Sequence, residues 1–150
     1  LDHPDTVCDK NVLDLASGSG LVGIAAMKAG AARVDVADID PFARVAAQLN
    51  AQANGCLIET IDENLLISTS TGPWQTIVAG DIFYERDTAE AAFAFLHRHA
   101  SHATILIGDP GRTYLPREKL EQLAEYRVPV TRELEDMEIK KTAVWTIKPN

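Results

Sequence analysis

The sequence predicts an α/β fold in which a mostly parallel sheet carries helices on both faces, and three observations lead there. Strand-like and helix-like apolar patterns alternate along all 150 residues, as they do in repeated βαβ units. The run from Val12 to Gly23 reads as a buried strand, a glycine turn and the opening of a helix. The segment Asp14 to Gly20 and the acids Asp38, Asp62 and Asp81 fall at or just after predicted strands, on the side of an open sheet where ligands collect.

The elements follow in order. A strand at about 10 to 15 leads through the glycine turn into an Ala-rich helix from roughly 20 to 30, and a second strand covers about 33 to 38. Asp40 and Pro41 then start a helix, with an acceptor at the cap and Pro where a missing N–H is harmless. That helix closes at Asn54-Gly55, a left-handed cap pair. Cys56 to Ile61 is the third strand, and Ser68 to Pro73 a polar loop. Thr76 to Ala79 forms strand four. A helix from Thr88 to Arg98 turns Phe93 and Leu96 inward, and Thr104 to Ile107 is strand five. Pro116 is expected to open a helix through Leu120 and Leu123. Tyr126 to Thr131 and Lys141 to Lys148 read as two terminal strands with a charged stretch between them. Trp74 and Trp145 flank strands and are expected in the core.

Composition narrows the function. At this length the chain is one domain and buries about two thirds of its unfolded surface, with no room for the separate substrate domain of a typical dehydrogenase. Lys plus Arg number 14 against 22 acids, for a net charge of −8. No basic stripe is visible, which disfavours nucleic acid as substrate. No apolar stretch reaches the roughly 18 to 20 residues of a membrane span and no signal-peptide pattern opens the chain, so no membrane partner is expected and the expected location is cytoplasmic. Cys8 and Cys56 form neither a metal spacing nor a disulfide framework and are expected as reduced core or near-core residues. The first residue is Leu1 rather than Met, and the chain is expected to lack an N-terminal segment that holds substrate contacts.

The glycine turn points to a cofactor. Gly permits positive φ and a close approach of backbone to ligand, while the N–H groups of a helix start point outward unpaired. Asp38, twenty residues after Gly18, sits where a carboxylate accepts both hydroxyls of a ribose, so an adenosine-containing cofactor is expected. Gly18-x-Gly20-x-x-Gly23 with a following acid also fits the dinucleotide fingerprint. Two local features favour S-adenosylmethionine instead. Asp14 lies inside the strand end, with Ala16-Ser17 intervening before the first glycine, and is placed toward the amino-acid end of such a ligand. The second strand ends Asp38-Ile39-Asp40-Pro41, which puts Ile39 against the adenine.

These residues resemble the first two motifs of the class I S-adenosylmethionine-dependent methyltransferases, an acid followed by x-x-x-Gly-x-Gly and an acid closing strand two. Gly80-Asp81-Ile82-Phe83-Tyr84-Glu85 further resembles the Asp-x-x-Tyr signature of the seven-β-strand protein lysine methyltransferases. With Gly108-Asp109-Pro110-Gly111-Arg112 and Thr142-Ala143-Val144-Trp145, the whole chain is most similar to bacterial relatives of the electron transfer flavoprotein β-subunit lysine methyltransferase family. The resemblance implies a Rossmann-like seven-stranded sheet with an antiparallel C-terminal strand. It implies S-adenosylmethionine as cofactor, a protein lysine as acceptor with the electron transfer flavoprotein β subunit as partner, and a site built from Asp14, Ala16, Gly18, Gly20, Asp38, Ile39 and Gly80, with Asp62 or Asn64 toward the adenine amino group. Asp81 and Tyr84 are the candidate catalytic residues.

A lysine ammonium, with a reference pKa near 10.4, must lose a proton before attack, which costs roughly 4 to 5 kcal/mol at neutral pH. A carboxylate beside it opposes that loss, so Asp81 is read as the anchor that orients the amine. The neighbouring sulfonium favours the loss. Phe83 and Tyr84 are candidate walls of a lysine channel, each with cation–π attraction of about 0.5 to 2 kcal/mol. No metal is expected, since a sulfonium is already an activated electrophile. His97, His99 and His102 around a helix end are read as a solvated surface. The loop Asp109 to Arg112 is either substrate-facing or a plain Pro-Gly turn. The alternatives are a methyltransferase for a ribosomal or translation protein or for a small amine, a non-catalytic binding domain, and a nicotinamide-dinucleotide module.

Overall fold

In the computed structural model, which describes residues 2–69, 71–131 and 137–149, seven strands form one sheet in the order β3-β2-β1-β4-β5-β7-β6. The strands are β1 (Asn11–Leu15), β2 (Arg33–Ala37), β3 (Glu59–Ile61), β4 (Thr76–Gly80), β5 (Thr104–Asp109), β6 (Leu120–Thr131) and β7 (Met137–Ile147). The first five are mutually parallel, and β7 runs antiparallel to both β5 and β6. The sheet order reverses between β1 and β4, which opens the crevice that parallel sheets use for ligands.

Side-chain alternation along each strand feeds two cores. Val12, Val34, Val36 and Val78 pack with Ala26 of α1 (Leu21–Lys28) and Ala47 of α2 (Pro41–Ala53). Leu13, Leu15, Ile77, Ala79, Ile105 and Ile107 pack on the other face with Phe95 and Leu96 of α3 (Arg86–His99). Asp35 points into this second layer, where it accepts hydrogen bonds from the Trp74 indole at 2.7 Å and from Arg33 Nε at 2.8 Å. Trp74 is thus a core residue with its polar edge satisfied, as buried tryptophans require.

The caps expected at α2 are present. The Asp40 carboxylate accepts the Phe42 N–H at 2.9 Å, and Gly55 takes φ 65° just beyond the helix. Strand three is shorter than expected and begins at Glu59.

Several expectations are corrected. The segment from Pro116 does not continue as a helix: a short 3-10 turn over Arg117–Lys119 leads directly into β6. Leu120 and Leu123 have helical spacing, but in β6 a bulge between Gln122 and Ala124 leaves Leu123 without a partner in the β7 register. Leu120 is buried in the α3-side core, while Leu123 is half exposed. The ladder offered by β7, with Leu120 opposite Ile147 and Gln122 opposite Trp145, outweighs local propensity. The two terminal strands are accordingly longer than expected. Part of the charged stretch between them, residues 132–136, and Ser70 of the polar loop lie outside the described residues.

His99 is not on the surface. It is fully buried between Trp74 and Phe95, with Nδ1 2.8 Å from the Phe95 carbonyl, and burial holds its pKa below the usual value. Its position one turn after Phe95 places it on the apolar face of α3. Cys8 is exposed rather than near-core. Among the described residues no helix is long and apolar enough to cross a membrane.

Candidate functional site

The turn after β1 is bent by three left-handed residues, Ala16 at φ 53°, Gly18 at 52° and Gly20 at 76°. A Cβ on Gly20 would stand 2.8 Å from the Ala47 Cβ, whereas one on Gly18 would meet nothing within 4 Å. The two glycines therefore do different work: Gly20 lets α1 and α2 approach, and Gly18 leaves open space beside the turn. Gly23 serves the packing of α1 on the sheet, since a Cβ there would lie 3.0 Å from Val36 and 3.1 Å from the Asp14 carboxylate.

Asp38 ties this turn to the end of β2. Its Oδ2 accepts the Gly18 N–H and its Oδ1 the Asp40 N–H, both at 2.9 Å. Each carboxylate oxygen has about two acceptor positions, so one on each remains for a further donor. Asp14 is spent differently. It is buried, its Oδ2 accepts the Gly23 N–H at 2.7 Å, and its pKa is pushed up to about 7 by burial, against the lowering effect of that hydrogen bond and with a further rise from the Asp38 charge.

At the end of β4, Asp81 adopts φ 55°, a conformation that costs a non-glycine residue roughly 1 to 2 kcal/mol. Its N–H donates to the Gly108 carbonyl at 2.8 Å, and its carboxylate receives Arg112 Nε at 2.5 Å and Nη2 at 2.6 Å. Strain of this kind concentrates where structure serves a site.

A cavity of about 450 Å3 joins these strand ends. Of the residues singled out from sequence, Ala16, Gly18, Asp38, Ile39, Asn64, Gly80, Asp81 and Tyr84 line it. Asp14 and Gly20 stand behind the turn, and Asp62 is exposed outside the lining, whereas its neighbour Glu63 faces in. Phe83 is fully buried in the core, so only Tyr84 of the aromatic pair is available as a channel wall. Sequence reasoning missed Glu63, Glu85, Thr88 and the engagement of Arg112. Glu63 was signalled only by its place beside Asp62, and Arg112 by its Asp-Pro-Gly turn.

The lining holds four carboxylates, Asp38, Glu63, Asp81 and Glu85, and no Lys or Arg. Such a site favours a cationic ligand and repels phosphate. A larger cavity of about 660 Å3 lies against Val22, Val78, Leu106, Leu123, Tyr126 and Val144. Its walls are mainly apolar and include none of the strand-end carboxylates.

Comparisons with known proteins bear on the family and the fold. Residues 4–82 match the family described as ribosomal protein L11 methyltransferase (PrmA). The electron transfer flavoprotein β subunit lysine methyltransferase of Mus musculus is 38% identical over 155 aligned residues, covering 99% of this chain and 61% of the mouse protein. The chain thus spans about three fifths of the length of the curated relatives it matches. The solved ribosomal protein L11 methylase of Lactobacillus delbrueckii superposes with a TM-score of 0.64 at 23% identity, covering 95% of this chain and 72% of that one. Magnesium protoporphyrin IX methyltransferase from Synechocystis, solved with bound SAM, superposes with a TM-score of 0.63 at 20% identity over 94% and 71%.

Proposed function

The chain belongs to the ribosomal protein L11 methyltransferase (PrmA) family, and from that premise we propose that it is an S-adenosylmethionine-dependent N-methyltransferase acting on a protein lysine. The observation that carries this reading is the charge of the strand-end cavity, four carboxylates with no lining cation. Both a sulfonium and a lysine ammonium are cations, whereas a dinucleotide would bring its diphosphate against those carboxylates. The residues present fit the cofactor. Asp38 keeps acceptor capacity for a ribose, Gly18 leaves room beside the turn, and Ile39 offers an exposed apolar surface in the lining.

S-adenosylmethionine, when bound, supplies an activated methyl group: the amine lone pair forms the N–C bond while the C–S electron pair leaves with sulfur. Asp81 anchors the incoming ammonium by a charge-assisted hydrogen bond, and Tyr84, 59% exposed at the cavity, flanks the alkyl chain and charge of the lysine. The proton is released to water before attack.

The choice of acceptor follows from what the two likenesses cover. The PrmA match ends at residue 82, before Tyr84 and Arg112, while the likeness to the flavoprotein-directed enzyme continues through the acceptor side. We therefore take the electron transfer flavoprotein β subunit as the substrate and ribosomal protein L11 as the second reading. The test incubates the protein with methyl-labelled S-adenosylmethionine and each purified acceptor, and locates label by mass spectrometry. Label on flavoprotein lysine is expected. Label on L11 alone would reverse the acceptor assignment, and calorimetric binding of a nicotinamide dinucleotide without binding of S-adenosylmethionine would overturn the cofactor.

A further inference from the structure

The Asp81–Arg112 pair has no part in the scheme above, yet it occupies the carboxylate assigned to the acceptor. Both partners are built into adjacent strand ends. Gly80 lies opposite Gly108 in the β4–β5 ladder, and the Asp81 N–H bonds the Gly108 carbonyl. Beyond β5, the buried Asp109 accepts the N–H groups of both Gly111 and Arg112 at 2.7 Å, in a turn where Gly111 takes φ 100°. The guanidinium then meets Asp81 through two parallel N–H bonds, the fixed fork that Lys cannot reproduce. The side chains are 44% and 50% exposed, and ion pairs so exposed contribute little to stability. A turn constructed to deliver this arginine therefore calls for another reason.

The chemistry of the acceptor supplies one. A carboxylate that holds an ammonium also resists its deprotonation, and the other acids facing the cavity pull the same way: Asp38 from the end of β2, Glu63 from the loop after β3, and Glu85 at the start of α3. The Tyr84 phenol also faces it. Arg86 is turned to the Tyr114 ring, 5.7 Å from its centroid, and the buried Asp109, whose Oδ1 is engaged by its own turn while its Oδ2 has no hydrogen-bond partner among the described residues, adds its charge beside Arg112. Among the described residues, Arg112 is the cation ion-paired to a carboxylate of this lining. Its two bonds leave each Asp81 oxygen a further acceptor position.

We propose that Arg112 is a positioning residue of the acceptor site, which holds the Asp81 carboxylate in place and offsets its charge so that an amine seated on its free positions releases its proton. This rests on the methyltransferase reading of the cavity. Arg112 weakens the hold on the charged amine and promotes formation of the nucleophile, so affinity and turnover move in opposite directions when it is removed.

The test compares wild-type protein, Arg112→Gln and Arg112→Lys, each checked for folding by circular dichroism. The rate of methyl transfer to the electron transfer flavoprotein β subunit is followed from neutral to alkaline pH. Dissociation constants for that subunit are measured by calorimetry with S-adenosylhomocysteine present, a readout independent of turnover. Arg112→Gln should bind the acceptor severalfold more tightly, and its kcat should rise with pH about one unit later than wild type. Near neutrality that is about a tenfold loss of kcat, since only the deprotonated amine reacts. Arg112→Lys should restore most of the pH profile. A lower kcat with an unmoved profile and weaker binding would overturn the proposal, leaving a structural role only. Faster turnover of Arg112→Gln at neutral pH would also overturn it, making the arginine a plug. Wild-type protein that binds S-adenosylmethionine but methylates no flavoprotein lysine would instead sink the acceptor assignment, and this proposal with it.

Discussion

The ends of β1 and β4 each carry an aspartate close to a left-handed residue, and the two are satisfied by opposite means. Asp14 is buried and bonded to a backbone N–H nine residues away, within one strand–turn–helix unit. Asp81 is half exposed and bonded to a side chain thirty-one residues away, delivered by a different strand. The β1 half of the crevice is thus held by backbone and short-range contacts, and the β4 half by side chains that meet only in the folded sheet. A surface formed by exposed side chains can be respecified by a few substitutions, whereas a backbone turn cannot. This division accounts for a shared first half among enzymes with different protein acceptors.

The sharpest way to break the comparison is at the glycines of the first half. Gly20→Ala places a Cβ 2.8 Å from that of Ala47 at φ 76°. It should cost about 2 to 4 kcal/mol of stability, from overpacking plus left-handed strain. Gly18→Ala meets nothing within 4 Å and should cost only the strain, about 1 kcal/mol, while weakening S-adenosylmethionine binding. Denaturant unfolding and calorimetry on both variants separate the two roles. Equal losses of stability would show that the turn acts as one unit.

The same division decided what could be read from sequence. Gly18 and Asp38 were legible as neighbours in the crevice because they lie at a characteristic separation, the twenty residues between the Gly18 N–H and the Asp38 carboxylate, whereas Asp14 reads as ligand-facing from the same motif but turns back to the Gly23 N–H. Strands β1, β2 and β4 were legible because each buries both faces. Arg112 was not, because an Asp-Pro-Gly turn reads as a turn whatever its last side chain touches. The helix expected from Pro116 failed for a related reason: Leu120 and Leu123 suit either element, and pairing with β7 decided. His99 was misread because histidine is commonly exposed, although its spacing from Phe95 put it on the inner face of α3.

In the second half, Asp81→Asn keeps the size of the side chain and removes the charge that anchors an ammonium. The kcat/KM for a lysine acceptor should fall roughly ten- to a hundredfold, the scale of a charge-assisted contact of about 1.5 to 3 kcal/mol, with the loss in KM rather than in deprotonation of the amine. S-adenosylmethionine affinity and melting temperature should change little, since the pair with Arg112 is exposed. A variant that lost cofactor binding as well would erase the separation between the two halves.

The last expected effect lies in how stability depends on pH. Burial raises the Asp14 carboxyl from 3.8 to about 7 in the folded protein. Between those values the folded state keeps a proton that the unfolded chain has released, so the contribution of Asp14 to stability falls as pH rises from about 4 to about 7 and is level above that. Asp14→Asn mimics the protonated form, and its Oδ1 still accepts the Gly23 N–H. The variant should therefore match wild type near pH 4 and be the more stable of the two above about pH 7, with a flatter curve of melting temperature against pH between them. Parallel curves would mean that Asp14 is ionised throughout and held by more than the one backbone donor, which would bring the chemistry of the β1 end closer to that of β4. Calorimetry on the same variant tests the assignment of Asp14 to the amino-acid end of the ligand. Because the carboxylate stands behind the turn rather than in the cavity lining, binding of S-adenosylmethionine should be retained, and a large loss would show that the ligand reaches through the turn to it.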